Sequence, residues 1–86
     1  MEEIIEKLTR IFSERFPGSV AELEQSAFAE RVGGSLIWSG FDAVEQIDRQ
    51  RQVNRAVSEG LAPEEQGQVT AILTFTPDEV AVMREG

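Results

Sequence analysis

Three arginines on one predicted helix, Arg49, Arg51 and Arg55, form the main concentration of positive charge in this 86-residue sequence. Guanidinium groups clustered in this way contact phosphates or the acidic surface of a protein partner. Acidic residues lie three or four positions from each arginine, namely Glu45, Asp48 and Glu59. Those spacings allow ion pairs along a helix surface. The pattern therefore favours a solvated, internally paired face, with a binding patch as the alternative.

The sequence contains neither histidine nor cysteine, the side chains most used in catalysis and metal binding. Their absence removes the commonest general base, the thiol nucleophile and the imidazole and thiolate ligands of transition metals. The sixteen acidic residues form no recognisable catalytic pair, and adjacent ones fall at predicted helix starts, where they suit the helix dipole. No calcium-loop spacing or glycine-rich phosphate loop is present. We therefore predict no catalytic residue, no metal site and no cofactor.

The composition indicates a single small globular domain over residues 1–86. Apolar residues make up 41% of the chain and charged residues 28%, with a net charge of -8. This negative charge disfavours general binding to nucleic acid, which requires basic groups opposite the phosphates. No apolar run approaches the roughly 20 residues of a membrane span, and the acidic N-terminus is unlike a secretory signal. We expect a cytoplasmic protein that does not engage membranes.

In the first part of the chain, hydrophobic spacing predicts an amphipathic helix over residues 2–16. The next segment, residues 19–32, is ambiguous. Its alanine, glutamate and leucine favour a helix by propensity, yet apolar and acidic residues also alternate as in a half-buried strand. From the residues alone, a helix is the preferred interpretation of this segment.

A glycine pair, Gly33 and Gly34, is expected to break the chain before a short apolar strand over residues 35–41. The only tryptophan, Trp38, lies in that predicted strand. Aromatic anchors are enriched at binding surfaces, so Trp38 is one candidate contact residue. Packing at the edge of the core is the alternative, which its large apolar area favours.

A second helix is expected to begin at Asp42, an N-cap residue, and to end at Gly60. Its apolar residues begin with Val44 and Ile47 and continue with Val53, Ala56 and Val57. These two sets do not fall on one stripe, so we expect a bend or break near Asp48.

The last part of the chain has the clearest signals for where helices and strands begin and end. Pro63 can begin a single helical turn that Gly67 closes. A strand follows over residues 68–75, with alternation that puts four apolar residues on one face: Val69, Ala71, Leu73 and Phe75. Thr76 to Glu79 then has the pattern of a capping box that opens a final helix.

Two motifs in this second half point to a known family. The segment after Phe41 fits a helix of the form V-x-R-H-R-x-V-N-x-A, and the end of the last strand fits T-P-x-E. The matching residues are Val44, Arg49, Arg51, Val53, Asn54, Ala56, Thr76, Pro77 and Glu79. Over about half of its length the chain thus resembles the BolA-like family.

The resemblance implies an α/β (α+β) fold, a class II KH-like αββααβα sandwich with a three-stranded mixed sheet. In that fold, residues 20–25 form the first strand, antiparallel to residues 35–41, and the second helix splits near Asp48. We adopt this arrangement over the helix that propensity favours for residues 20–25.

Members of this family bind monothiol glutaredoxins and share a [2Fe–2S] cluster with them through histidine or cysteine ligands. In this sequence Gln68 occupies the position of the ligand histidine, and Gln50 replaces the histidine of the helix motif. The loop over residues 26–34, where the other ligand is expected, has no imidazole or thiol. Glutamine is a poor iron ligand. The resemblance therefore implies the family scaffold without cluster ligation.

Our first functional hypothesis is a non-enzymatic module that binds a protein partner, with a glutaredoxin-like or iron–sulfur-handling protein as one possibility. The candidate contact residues are Trp38, Arg49, Gln50, Arg51, Asn54, Arg55 and Gln68. The chain itself is expected to be a monomer or a weak homodimer. A nucleic-acid-binding regulator that uses Arg49 to Arg55 is the alternative, and an enzyme comes third.

Overall fold

A computed structural model describes residues 2–26 and 31–85 of the chain. The helices are α1 (Glu2–Arg15), α2 (Gln46–Gly60), α3 (Pro63–Gln66) and α4 (Pro77–Glu85). The strands are β1 (Val20–Gln25), β2 (Val32–Ile37) and β3 (Val69–Phe75), and a single 3-10 turn spans Ser39–Phe41. The predicted α/β fold with the element order αββααβα is confirmed. None of the helices described is long and apolar enough to cross a membrane.

The three strands form one mixed sheet in the order β1-β2-β3. The first pair is antiparallel and the second is parallel, so the connection through α2 and α3 crosses over the sheet. The core lies between the sheet and the two long helices, and its fully buried large side chains are Leu8, Phe12, Val32, Leu36, Phe41 and Val53. Burying this apolar surface is the main favourable term in folding.

The strand at residues 20–25 is confirmed, and the helix that propensity favoured there is wrong. β1 pairs with β2 from Val20 opposite Ile37 to Gln25 opposite Val32. Ala21 and Leu23 pack against the core, while the alternating residues Val20, Glu22 and Glu24 are exposed. A segment that can alternate in this way gains a ladder of hydrogen bonds and a buried face from its neighbour, which outweighs helix propensity.

β2 lies earlier than predicted, and it contains the glycine pair that was expected to break the chain. Gly34 has a φ of 149°, and a Cβ atom there would lie 2.0 Å from the Glu22 carbonyl oxygen of β1. At Gly33 a Cβ atom would lie 2.2 Å from the Thr70 hydroxyl of β3. The glycines therefore allow close approach of the flanking strands within the sheet.

The second helix also begins later than predicted and has no break near Asp48. The chain turns after the 3-10 segment, with Ala43 at a φ of 63°, and Glu45 takes the N-cap position of α2. From there the helix is continuous. Its buried residues, Arg49, Val53 and Ala56, fall at regular helical spacing. The apolar stripe looked broken because an arginine occupies one of its positions, while Ile47 is 58% exposed.

The alternation predicted for the last strand is interrupted by a register irregularity. Val32 pairs with Val69 and Gly34 pairs with Ile72, so β3 has one residue more than β2 between these pairs. As a result Val69 and Ile72 both pack toward the core. Leu73, which was expected to share a face with Val69, is instead 54% exposed. The extra residue is the physical reason, because it reverses the two faces along the strand.

A buried arginine connects α2 to the start of α4. The Arg49 side chain is 7% exposed, and its Nε donates to the Val44 carbonyl oxygen at 2.7 Å. Its Nη1 donates to Oε1 of Glu79 at 2.8 Å. The same Oε1 accepts a hydrogen bond from the Thr76 amide, and the Glu79 amide donates to the Thr76 hydroxyl. The capping box predicted at Thr76 is thus confirmed, and Arg49 joins it.

Substitution of Gly34 by alanine should lower the free energy of unfolding by about 2–3 kcal/mol, because the new methyl group strains the backbone and meets the Glu22 carbonyl. Gly67 provides the control. It has a φ of -66°, and its nearest atom to an added Cβ lies 3.6 Å away. Gly67→Ala should change stability by less than about 1 kcal/mol. Urea unfolding measures both, and equal effects would contradict the close approach at Gly34.

Stability should fall as the pH drops below 4.5. The Arg49 guanidinium and the Thr76 amide hold the pKa of Glu79 below its usual value of 4.5. A carboxyl group with a lowered pKa in the folded state stabilises the fold above its unfolded pKa, and this contribution is lost as the pH falls through the folded pKa. Lys7 and the Ala62 amide lower the pKa of Glu65 in the same way.

Unfolding midpoints in urea between pH 3 and pH 6 test this linkage. Glu79→Gln should flatten the acid limb of the profile, and a Glu65→Gln, Glu79→Gln double variant should flatten it further. A control variant, Glu64→Gln, removes an exposed carboxyl that makes no ion pair with the described residues and should leave the profile unchanged.

Candidate functional site

A groove of about 440 Å³, here called the α2–β3 groove, lies between α2 and the edge strand β3 beside several of the predicted contact residues. Apolar side chains form its floor, including Val53 and Ile72. Three of the residues predicted from the sequence line it together: Gln50, Asn54 and Arg55. The groove therefore joins polar donors on a helix to an exposed strand edge.

Helical spacing explains why Gln50 and Asn54 face the groove. The buried stripe of α2 contains Arg49, Val53 and Ala56. Gln50 and Asn54 each follow a buried residue by one position, which places them on the flank beside β3. The orientation of the whole flank is therefore fixed by the side chains that α2 buries.

Two glutamines of α2 occupy the outer edge of β3. Gln50 Nε2 donates to the Ile72 carbonyl oxygen at 3.0 Å, and Gln46 Nε2 donates to the Thr74 carbonyl oxygen at 3.3 Å. The Thr74 hydroxyl in turn donates to Gln46 Oε1 at 2.9 Å. Unpaired carbonyl groups on an edge strand invite pairing with other chains. The two side chains therefore close this part of the edge.

The amino-terminal part of the same edge is more accessible. Thr70 and Ala71 are exposed, lie at the register irregularity and line the α2–β3 groove. Beside them, the side chains of Asn54 and Arg55 are exposed and make no hydrogen bond or ion pair with any other described residue. An amide, a guanidinium group and a strand edge are thus available together for an external partner.

The expected charge neutralisation on α2 holds for only one of its three arginines. Arg51 lies 3.7 Å from Asp48, as the spacing predicted. Arg49 pairs with Glu79 in the interior instead of with Glu45. Glu59 pairs with Arg15 of α1 at 2.8 Å, which leaves Arg55 without the predicted partner. The predicted basic cluster is therefore divided between the interior, which holds Arg49, and an outer face of the helix, where Arg51 and Arg55 lie four positions apart.

The remaining predicted contact residues lie away from the groove. Arg49 is buried, so its assignment to a contact surface is corrected to a role in the fold. Trp38 donates from Nε1 to the Pro17 carbonyl at 2.8 Å and packs at 5.1 Å from the rings of Phe16 and Phe41. This places it at the edge of the core, the alternative considered for it.

The residue that replaces the family's ligand histidine has a backbone role in this fold. Gln68 precedes β3 and is half-buried. Its carbonyl oxygen accepts a hydrogen bond from the Val32 amide at 2.8 Å, which fixes the start of the parallel strand pair. The site thus contains Gln50, Asn54 and Arg55, with Gln68 adjacent to its Val69 wall.

The groups around the groove can be compared with those that metal binding and proton transfer require. Within residues 2–26 and 31–85, no group of three or more His, Cys, Asp or Glu side chains could hold a metal ion. The two carboxyl groups with shifted pKa values, Glu65 and Glu79, are both shifted down by a basic partner. What the groove presents is an apolar floor with hydrogen-bond donors at its rim.

Gln46 is the site residue that the sequence interpretation missed. It lies four residues before Gln50 and eight before Asn54, so the three fall on one helical flank. That repeat of amides was visible in the sequence. The β3 carbonyl groups that these amides contact could not be identified from the sequence, because a flank exposed to solvent and a flank that faces a strand edge have the same polarity.

The chain matches no protein-family model, and no curated protein matches it closely enough to establish a relationship. The resemblance to the BolA-like family therefore stays a prediction that depends on the motif residues given above. The observed element order is the one that this resemblance implies. A shared order of elements concerns the fold and carries no activity with it.

Truncation of the two edge glutamines should destabilise the fold. Gln46→Ala and Gln50→Ala each leave a β3 carbonyl group without its donor, and we expect a loss of about 1 kcal/mol from each variant. Gln52→Ala is the matched control, since Gln52 is exposed on the same helix and should change stability by less than about 0.5 kcal/mol. Chemical denaturation measures these values, and similar results for all three variants would contradict the role assigned to the edge.

Proposed function

We propose that this protein is a non-enzymatic binding module whose contact surface for a protein partner is the α2–β3 groove. The observation that carries the proposal is the position of Asn54 and Arg55. Their side chains have no partner among the described residues and stand beside an apolar floor and the exposed edge at Thr70 and Ala71. Such a combination suits a polypeptide better than a small polar metabolite.

The physical basis of binding would be the one that edge strands offer generally. An extended segment of a partner can hydrogen-bond to strand backbone, while side-chain pockets provide selectivity. Here Gln46 and Gln50 already occupy the downstream carbonyls, so the accessible part of the edge is short. A short edge and a small groove support a transient interface below about 1,200 Å² in total.

A monothiol-glutaredoxin-like protein is the partner that we propose to test first, because of the resemblance to the BolA-like family. The contribution of this chain would be contact without metal ligation. Its sequence has no histidine or cysteine. The glutamines at the two family histidine positions form hydrogen bonds within the fold. The Gln50 side chain bonds to Ile72, and the Gln68 backbone bonds to Val32.

The nucleic-acid hypothesis has less support from the arrangement of charges. Phosphate binding requires several basic side chains on one accessible surface. Arg49 is buried, and Arg51, which lies one helical turn from Arg55, is paired with Asp48. Arg55 alone, on a chain with a net charge of -8, gives a weak electrostatic attraction for phosphates.

Titration of a purified monothiol glutaredoxin against this protein tests the proposal, with isothermal titration calorimetry as the measurement. We expect 1:1 binding that an Asn54→Ala, Arg55→Ala double variant weakens by about tenfold or more, as is usual for central contact residues. The matched control is Arg51→Ala, Gln52→Ala, which makes the same kind of truncation at two residues of α2 that do not line the α2–β3 groove, and it should bind normally.

A second measurement separates contact from metal ligation. With a glutaredoxin that carries its [2Fe–2S] cluster, binding of this protein should leave the visible circular dichroism of the cluster unchanged, since no new ligand enters. Absence of binding in both forms would reject the glutaredoxin-like partner. Equal weakening by the two double variants would reject the α2–β3 groove as the contact surface.

A further inference from the structure

A second surface lies between α4 and the end of β3, separate from the α2–β3 groove. Three apolar side chains, Phe75, Val82 and Met83, line a shallow depression of about 470 Å³ together with Gln46, Asp78 and Glu79. We call it the α4 groove. Val82 is 69% exposed and Met83 is 60% exposed, and both stand on the outer face of α4.

The packing of α4 against the rest of the fold leaves Val82 and Met83 uncovered. The nine-residue helix buries none of its residues within this fold. It is held mainly by polar contacts at its two ends, from Glu79 to Arg49 and from Arg84 to Glu22. An isolated helix of this length is unstable in water. Exposed apolar side chains that lie next to one another mark interaction sites. Coverage by another apolar surface would stabilise the helix.

The charges around the α4 groove indicate the character of that other surface. The two charged residues in its lining, Asp78 and Glu79, are both acidic. Glu79 is paired with Arg49, whereas Asp78 makes no ion pair with any described residue. The basic residue of α4, Arg84, is already paired with Glu22 on the side of β1. The rim of the groove therefore presents the Asp78 carboxylate without an ion-pair partner among the described residues.

The net charge of the chain argues against a second copy as the occupant. Two molecules that each carry a charge of -8 repel one another, whereas a cationic partner is attracted to the same surface. The occupant must be apolar where it meets the groove and cationic at the rim. An amphipathic helix has both properties, because its apolar stripe fits a shallow groove and its flanks can carry lysine. Methionine at such a surface adapts to varied apolar side chains.

We propose that the α4 groove docks a cationic amphipathic helix from a protein partner. Phe75, Val82 and Met83 contact its apolar stripe, and Asp78 attracts its basic flank. This surface is distinct from the α2–β3 groove, so either proposal can fail while the other holds.

The experiment uses the full chain and a synthetic peptide of leucine and lysine in an amphipathic helical pattern, about 15 residues long so that it forms a helix. Isothermal titration calorimetry should show binding that weakens at higher salt. A peptide of the same pattern with glutamate in place of lysine should not bind. Equal binding of the two peptides would overturn the proposed selection by charge.

Variants of the protein then locate the surface. Val82→Gln, Met83→Gln removes two exposed apolar side chains and should weaken binding of the leucine–lysine peptide by about tenfold or more, while circular dichroism confirms that the fold is kept. Val20→Thr is the control. Val20 is likewise exposed, at 56%, but lies on β1 outside the α4 groove, and its substitution should leave binding unchanged.

Two results would reject the α4 groove as the peptide site. One is peptide binding that is the same in the double variant and the unsubstituted protein. The other is a dimer of the protein in sedimentation at micromolar concentration that Val82→Gln, Met83→Gln dissociates, since the occupant would then be a second copy.

Discussion

The ion pair between Arg49 and Glu79 is the interaction on which the arrangement of the carboxyl-terminal half depends. A buried guanidinium group is tolerated only when its donors have acceptors, and here they reach the Val44 carbonyl and the Glu79 carboxylate. Phe41 also lies beneath it, with its ring centroid 5.7 Å away. Because Glu79 is also the capping residue of α4, one side chain connects the start of α2 to the start of α4.

This buried arginine also determines what α2 presents to solvent. With Arg49 in the interior, the neighbouring position on one side, Gln50, faces the edge of β3, and Arg51 faces away from it. A basic cluster in the sequence thus becomes one buried arginine, Arg49, and two exposed ones, Arg51 and Arg55, in the structure. The polar groups that remain accessible near β3 are an amide and a guanidinium group, and this pair is the basis for proposing a protein partner in preference to phosphates.

β3 is an edge strand whose neighbours leave it only partly covered. Gln46 and Gln50 satisfy the carbonyl groups of Thr74 and Ile72, and the α2–β3 groove and the α4 groove lie on either side of this covered stretch. Both surfaces combine apolar side chains with unpaired charge, but the signs differ. Arg55 borders the first and Asp78 the second. The two grooves therefore differ in the sign of the charge at their rims.

The sequence by itself determined the features that local interactions control. The apolar stripe of α1, the helical turn at Pro63 and the capping box at Thr76 depend on residues a few positions apart, and each formed as predicted. The tertiary structure decided the features that need a distant neighbour. Residues 20–25 became a strand because β2 pairs with them, and Gly33 and Gly34 lie within a strand because its neighbours approach closely.

The candidate site divides in the same way. Gln50, Asn54 and Arg55 could be selected from the sequence, since a motif and a charge pattern mark them. The burial of Arg49 and the attachment of Gln46 to the edge of β3 could not, because Glu79 and Thr74 lie about thirty positions away in the chain. Local spacing determines which side chains share a helix face, but only the packed fold supplies the group that each face meets.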